Sequence, residues 1–532
     1  MATKFRTKSR RSARSYFIHK PQGTLHPRVQ KVGPEHFGIV SVDCAKVRSK
    51  WMLADFYGKV LVPPTPVEHT RKGLEAMVQA IRQAIAQFDL KELVVGIERT
   101  GRYHVPVQRA CIQAKFDTRL VHPLTSKQFR LPANPGNKTD DTDLSAIYLA
   151  TVNGFGLIEH PADPVSVRLQ LLARHRRDLV VKMTRLRCQI HEQFNVFMPG
   201  YAKCFDDIYD CHTPLLIARK LGSAVAILGA GLPGLTELVR QAGIRPHRPT
   251  LEKVLAWACT ATAATDEASI NHKIMIELDD DRVAKLRSVK AVEAELAELL
   301  VQTPYVLLLG VPGINVVSAA EFAGEMGPIQ YYPKARSITG RAGLFPSRYQ
   351  SDEVDRADGP LVRCANRRLR QAIMMIADNL IECNDHFRVL AAKWRLEGSH
   401  SIAIRVRVAG RFCRIAYQMV AGRTAYRHPC SQQRDYILRK LIAFGMEHDI
   451  DISRIMKALD SAVAQLPGAE HREEGAALAA ELDQLQKKRG PGPRSLAEIL
   501  PAVLAKLGIK LINSPESGEA NRSGPPSGPG TE

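Results

Sequence analysis

Acidic residues in three short stretches carry the chemistry that this sequence offers. In Asn137-Lys138-Thr139-Asp140-Asp141-Thr142-Asp143-Leu144-Ser145-Ala146-Ile147, three aspartates follow a lysine at the start of an apolar helix. At about 100° per residue, Asp140 and Asp143 lie about 60° apart around that helix, while Asp141 points well away from Asp143. Two carboxylates therefore share a face. The same pattern serves a plain helix start, where Thr and Asp cap free N–H groups and acids complement the macrodipole. Asp43 and Glu98 shift the balance, because they sit in or at the end of apolar, strand-like runs. Asp43, Glu98, Asp140 and Asp143 together make an all-oxygen donor set for Mg²⁺ or Mn²⁺, the kind of site that assists displacement at a phosphodiester.

Hydrophobic patterning predicts the elements that must position these acids. Phe37-Gly38-Ile39-Val40-Ser41-Val42-Asp43 is rich in β-branched residues, and Trp51–Phe56 and Lys59–Val62 add two short strands about a Tyr57-Gly58 turn. An antiparallel meander follows from that. Next come a helix over Gly73–Phe88, with Leu74, Met77, Ile81 and Ile85 in step, a strand over Leu93–Ile97, a helix over Val105–Ala114, a strand over Thr118–Val121 and the helix after Asp140. Three strands followed by alternating helix and strand is the order of an α/β RNase H-like (RuvC-like) domain, expected here over residues 36–160. In that architecture an acid on the first strand, one ending the fourth and one on the last helix converge.

Downstream, Leu169, Leu172, Leu179, Met183, Leu186, Ile190 and Phe197 recur at three- and four-residue steps, interrupted where Arg176 falls on the seam. This predicts a long coiled-coil-like helix over Arg168–Phe197. Arg168, Arg174, Arg177, Lys182, Arg185 and Arg187 cover its other faces, either as a solvated surface or facing phosphates. A second such helix is expected over Arg282–Leu300, and the two pair within or between subunits. Residues 161–303 thus form a helical region with an insertion, in which Gly229-Ala230-Gly231-Leu232-Pro233-Gly234 reads as turns. Leu307 to Ala320, with Pro312-Gly313 at its centre, resembles a helix-hairpin-helix, a device whose turn N–H groups grip phosphate. It opens a mainly α-helical domain over 304–390, followed by a basic to mixed helical extension over 391–488 that contains Arg405, Arg407, Arg411, Arg414 and Arg423. Disorder is expected in a basic arm over 1–35, with Lys4, Arg6, Lys8, Arg10, Arg11 and Arg14, and in most of the tail over 489–532.

At 532 residues the chain exceeds one core, and 45% hydrophobic content supports globular folding. Lys+Arg 75 against Asp+Glu 54 leaves a net charge of +21, which makes nucleic acid the first expected partner. No apolar run approaches the roughly 20 residues needed to cross a bilayer. The charged N-terminus has no apolar segment behind it, so no membrane partner and a cytoplasmic location are expected. The ten cysteines are scattered without a CxxC, and the Cys204, Cys211 and His212 group lacks a matching second pair, so free thiols are expected rather than zinc.

Four blocks resemble the DEDD transposases of the insertion-sequence-110 family, which are bridge-RNA-guided serine recombinases. Gly38 to Lys46, with Asp43-Cys44-Ala45-Lys46, resembles the family's first-strand Asp-x-x-Lys block; Glu98-Arg99-Thr100-Gly101-Arg102-Tyr103-His104 is similar to its Glu-x-Thr-Gly-x-Tyr block; and Lys138-Thr139-Asp140-Asp141-Thr142-Asp143 matches Lys-x-Asp-x-x-Asp. The fourth block runs from Pro312-Gly313-Ile314 through Gly343-Leu344-Phe345-Pro346, Gln350-Ser351 and Asn366-Arg367-Arg368-Leu369-Arg370, and is similar to the family's C-terminal transposase domain. The chain departs from the pattern at Asn315 and Asp352, where glycine is usual, and at Leu144, where alanine is usual. The resemblance implies a metal-dependent recombinase that cleaves and exchanges the DNA of a mobile element, guided by a structured RNA; the pairing of the two long helices and the need of two duplexes for more than one active site lead to the expectation of a homo-oligomer. The resemblance also implies Ser351 as nucleophile, with Ser347 the nearby competitor. The alternatives are an RNase H-like structure-specific nuclease that uses metal-activated water and needs no serine, and a catalytically silent nucleic-acid-binding protein.

Overall fold

The computed structural model describes residues 25–466 apart from 133–135, 159–162, 263–266, 353, 357–358, 364, 425 and 427–435. The basic residues expected in the arm up to Arg14 and everything from 467 onward lie outside the described residues. The chain divides into two compact units, Met1–Ala162 and Asp163–Glu532: a mixed α/β sheet domain and a mostly helical region.

The first unit runs α1 (His26–Val32), β1 (Phe37–Asp43), β2 (Arg48–Asp55), β3 (Val60–Glu68), α2 (Arg71–Gln87), β4 (Glu92–Glu98), α3 (His104–Gln113), β5 (Asp117–Val121), α4 (Pro123–Arg130), α5 (Asp140–Val152) and β6 (Leu157–Ile158). Its sheet has the order β3-β2-β1-β4-β5-β6. β1 is antiparallel to β2 and parallel to β4, β4 is parallel to β5, and β6 is antiparallel to β5. Strand alternation splits the core in two. Val40, Val42, Val95 and Ile97 pack with Met77, Ile81 and Val107 of α2 and α3, whereas Phe37, Ile39 and Val94 pack with Leu144 and Tyr148 of α5. A Cβ on Gly96 would lie 2.1 Å from Thr151 Oγ1, so the glycine lets α5 lie tight on β4.

Sequence and structure differ here in three places. β3 continues past Val62 through Pro63, Pro64 and Pro66, which the ladder tolerates because β3 is an edge strand. α1 lies inside the stretch expected as a disordered arm, anchored by buried Leu25 and Val29. α4 was not predicted.

The second unit opens with α6 (Pro164–Phe197), followed by α7 (Thr213–Leu221), α8 (Ala224–Gln241), α9 (Arg248–Thr260) and α10 (Ala268–Leu300). Arg176 meets Glu293 while Arg187 and Arg282 both lie over the Tyr209 ring, so α6 and α10 pair antiparallel within the chain. Arg176 interrupts the apolar seam because it bridges Glu293 at 2.6 Å and Glu321 at 3.0 Å, a partly buried ion network inside the packing. Arg177 also binds Glu321, and Arg174 forks onto Glu325 at 2.7 and 2.9 Å. These three arginines thus bind carboxylates of their own chain. α10 starts 14 residues before the predicted Arg282, since its first half buries Asp279 and Arg282 as an ion pair that no hydrophobic pattern reveals. The expected turns around Gly231 are a kink inside α8, where Gly231 takes φ 57°.

After a 3₁₀ helix at Pro304–Gly310 come α11 (Val316–Met326), α12 (Ala335–Ala342), the hairpin β7 (Tyr349–Ser351) and β8 (Val354–Arg356), α13 (Arg367–Cys383), α14 (Asp385–Leu396), α15 (Ser401–Gly422), α16 (Tyr436–Glu447) and α17 (Ile452–Val463). One core runs from Leu169 and Leu300 through Leu308, Phe322, Ile373 and Phe412 to Leu459. Residues from 161–303, 304–390 and the extension after 390 all contribute to it.

Candidate active site

In the β1–β4 ladder Val42 pairs with Ile97, so the next step of the register sets Asp43 beside Glu98 at the same ends of adjacent strands. Alternation puts both on the sheet face that bears Ile39 and Val94, the face α5 covers. α5 begins at Asp140 because Thr139 caps it: the Thr139 hydroxyl accepts from Thr142 N, and the Thr142 hydroxyl accepts from Thr139 N. The helix start thereby delivers Asp140 and Asp143 into the field of the strand-end acids. Burial pushes the Asp43 carboxyl above its ordinary range, and the charges of Asp143 and Asp140 push it further, against Lys138 and the Cys44 backbone N–H. The Glu98 carboxyl is raised by burial and by Asp43 and Asp143, opposed by a hydrogen bond from the Ser126 hydroxyl and by Lys138.

The three aspartates at the start of α5 have different surroundings. Asp140 is exposed. Asp141 takes a hydrogen bond of 2.6 Å from Lys50 Nζ on β2. Asp143 is nearly buried and bound by Arg130 Nη1 at 2.5 Å. Arg130 and Ser126 both lie on α4. Sequence reading missed them, although Pro123 at the first helical position of His122-Pro123-Leu124-Thr125-Ser126-Lys127-Gln128-Phe129-Arg130 is a helix-start signal.

The donor set is all oxygen and suits a hard divalent ion in kind. Ser41 Oγ, fully buried two residues before Asp43 on the same face, has no hydrogen-bond partner among the described residues, an orphaned polar atom of the kind a buried water satisfies. Among the described residues no three acids, cysteines or histidines close around one point as a finished metal cage. Arg130 is one reason, since it takes up Asp143.

Ser351 ends β7 and pairs with Val354 in an exposed hairpin, and Asp352 in the turn has φ 47°. Arg348 is forked onto Asp355 across the hairpin. Ser347 belongs to the hairpin's root: its N–H donates to Pro360 O at 2.9 Å, and a Cβ on Gly359 would come within 2.4 Å of its Oγ. Beneath it, Arg370 Nε donates to Ala342 O at 2.8 Å, and Asn366 caps α13 while donating to Glu325 at 3.1 Å. Arg367 and Arg368 are exposed at the start of α13.

The Pro312-Gly313 turn is held through its carbonyls. Lys440 Nζ donates to Val311 O at 3.2 Å and Ile314 O at 2.6 Å, and Asn384 Nδ2 donates to Pro312 O at 3.1 Å. Burial pulls the Lys440 ammonium down to about 7. Gly313 has φ +94° and faces Asn379 O, whereas Asn315 is extended and caps α11 through Ser318. The turn's left-handed position is therefore Gly313, and Asn315 serves as an N-cap.

No helix among the described residues is long and apolar enough to cross a membrane. A family model for DEDD transposases of IS110 type matches residues 40–199, and one described as the transposase IS116/IS110/IS902 family matches residues 305–391. The chain is 23% identical over 266 residues to an uncharacterized 43.6 kDa protein of insertion element IS110 from Streptomyces coelicolor, covering 50% of this chain and 65% of that protein. It is 22% identical over 193 residues to an uncharacterized 44.8 kDa protein of insertion element IS116 from Streptomyces clavuligerus, covering 36% of this chain and 48% of that protein. The chain thus spans less than two thirds of the length of either relative. Residues 40–199 and 305–391 thus match, in order, the two domain models of IS110-type DEDD transposases, and the chain aligns with proteins of two such insertion elements.

Proposed function

We propose that this chain is a transposase that cleaves and exchanges the DNA strands of a mobile element, with an RNase H-like first unit, a serine nucleophile at Ser351, a structured guide RNA and a homo-oligomeric active form. The observation that carries the reading is the register that sets Asp43 and Glu98 side by side at strand ends on the face α5 covers, with both carboxyls raised by burial and by Asp143. The strand order 3-2-1-4-5 within the sheet also supports the RNase H-like assignment. Asp43, Glu98, Asp140 and Asp143 are the residues that would hold Mg²⁺ or Mn²⁺, which supplies Lewis-acid charge neutralisation at a phosphate when bound. Ser351 Oγ would form a bond to phosphorus as the bond to the leaving sugar oxygen breaks, and that oxygen takes up the serine proton. Arg367 and Arg368 are cations available to the pentavalent phosphate. Two recombining duplexes need more than one such active site, which favours an oligomer.

The test is incubation of the protein with its element-end DNA, Mg²⁺ and co-purified RNA, followed by denaturing electrophoresis for covalent protein–DNA adducts. An adduct that disappears in Asp43→Asn and in Ser351→Ala supports the proposal. Cleavage without an adduct favours the water-using nuclease. That second reading draws on Asp352, whose charge stands beside Ser351, and on Arg348, whose guanidinium is taken by Asp355.

A further inference from the structure

Residues 200–304 lie between the two matched regions, and α7, α8 and α9 build a core of their own there. Ile217, Leu235 and Val254 pack with Phe194 and Phe197 at the end of α6 and Met275 near the start of α10. This module therefore sits at one end of a helix pair about 50 Å long at 1.5 Å per residue. Its surface bears an open groove of about 450 Å³, lined among others by Gly200, Lys203, Cys204, Lys253, Trp257 and Thr260. That volume falls in the range of about 300–1,000 Å³ typical of ligand sites. Two lysines are the charged residues of its lining, with no carboxylate among the described lining residues. The Cys204 thiol adds no negative charge, since burial raises its pKa.

The groove's aromatic wall is fixed in place. Trp257 Nε1 donates to Pro199 O at 2.9 Å, and the ring meets Tyr201 edge-on at 5.2 Å. Gly200 takes φ +81° and brings the chain under the indole, where a Cβ would sit 3.4 Å from Nε1. A held indole flanked by two ammonium groups fits a flat ring that carries a phosphate. Duplexes hide base faces, whereas unpaired strands offer them for stacking.

We propose that this groove holds one unpaired nucleotide of a single-stranded nucleic acid, its base against Trp257 and its phosphate between Lys203 and Lys253. The assignment rests on the reading that the chain acts on nucleic acid. The test uses the full-length protein and fluorescein-labelled 12-nucleotide single strands of DNA and RNA, the matching duplexes, and AMP as a free nucleotide. In the Lys203→Gln/Lys253→Gln double variant and in Trp257→Ala, affinity for one or both single strands falls about 10-fold with duplex affinity unchanged, while Trp257→Phe retains most of it. Photocrosslinking of a bromouridine-bearing strand to the Lys203–Trp257 region supports the proposal even if Trp257→Ala fails to fold. Unchanged single-strand affinity in the lysine variant, or crosslinks only elsewhere, overturns the groove and leaves the transposase reading standing. Binding of AMP without binding of strands overturns it in favour of a small-ligand site. A wild-type protein that binds no nucleic acid overturns both.

Discussion

Arg130 holds Asp143 at 2.5 Å, with the two side chains only 13% and 12% exposed, so a guanidinium occupies one carboxylate of the acidic cluster. A cation that uses Asp143 must compete with it. Removing one partner of a buried ion pair costs about 3–5 kcal/mol because the other charge is left uncompensated. Arg130→Gln is therefore expected to melt below the wild type without divalent metal, and to gain more from added Mg²⁺ or Mn²⁺ than the wild type gains. Thermal melts with and without metal check this. Equal metal-induced shifts in the two proteins would mean that Arg130 and the metal do not share Asp143.

Asp141 and Asp143 should separate in activity. Asp141 pairs with Lys50, is 62% exposed and is not among the charges that raise Asp43 or Glu98, whereas Asp143 acts electrostatically on both. Asp141→Asn is expected to keep most of the strand-cleaving activity, and Asp143→Asn to lose at least about 100-fold, the scale of a lost electrostatic contributor. Cleavage rates in Mg²⁺ decide it, and the reverse order would move the metal-facing side of α5 to Asp141.

Much of this geometry can be read from residue order, and the reasons for the gaps are specific. Asp43 and Glu98 announce themselves because each ends an apolar β-branched run, and a parallel ladder then brings strand ends together. The α6 seam is equally visible in its leucines. Arg130 was invisible because α4 is short and has no apolar stripe, so its role exists only through a tertiary ion pair. The first half of α10 was lost for a related reason: Asp279, Asp280 and Asp281 look like a solvated breaker until Arg219 and Arg282 are seen to neutralise Asp279 and Asp280. Hydrophobic periodicity cannot encode buried ion pairs.

The pH dependence of Asp43 follows from the sign of its shift. Its folded-state pKa lies above the ordinary value of 3.8, so its favourable contribution is complete below that value and is lost as pH rises through the folded pKa. At neutral pH the ionised group is a burden to the metal-free fold. Asp43→Asn should accordingly melt higher than the wild type at pH 7 in chelator, with the gap closing towards pH 4. Added Mg²⁺ should shrink the pH 7 gap by stabilising the wild type. Melting curves across that range, read as the difference between the two proteins, test it; a variant that is less stable at pH 7 would contradict the assigned cost of burying that charge beside Asp143 and Asp140.

Not every arginine of α6 can serve nucleic acid. Arg174 is forked onto buried Glu325, while Arg185 is exposed. Arg174→Gln should destabilise the protein by about 1.5–3 kcal/mol, the range for hydrogen bonds to charged groups, and leave the salt dependence of DNA binding alone. If Arg185 contacts a duplex phosphate, Arg185→Gln should reduce the slope of log affinity against log salt by about 0.9 and leave stability alone. Binding isotherms at several salt concentrations, paired with melts, separate the two. A lower slope in Arg174→Gln would place that side chain on phosphate instead of on Glu325.

Ser351 and Ser347 lie four residues apart yet have different structural roles, and this makes the nucleophile assignment testable. Ser347 is built into the hairpin's root, with its N–H on Pro360 O and its hydroxyl against Gly359, so a loss there acts through the loop's shape. Ser351 is exposed at the end of β7, where its hydroxyl is open to a phosphate. Ser347→Ala keeps the root's backbone hydrogen bond and removes only the hydroxyl, so the covalent adduct should still form at a reduced rate. Ser351→Ala should abolish it. Asp352 sharpens the case: its φ of 47° is a conformation glycine adopts without strain, and it puts a carboxylate on the residue next to the proposed nucleophile. Asp352→Gly should therefore preserve the hairpin and raise the rate of adduct formation by removing a charge that repels phosphate. Adduct formation by Ser351→Ala at the wild-type rate would end the serine mechanism, and a rate unchanged or lowered in Asp352→Gly would show that its carboxylate does not oppose the attack.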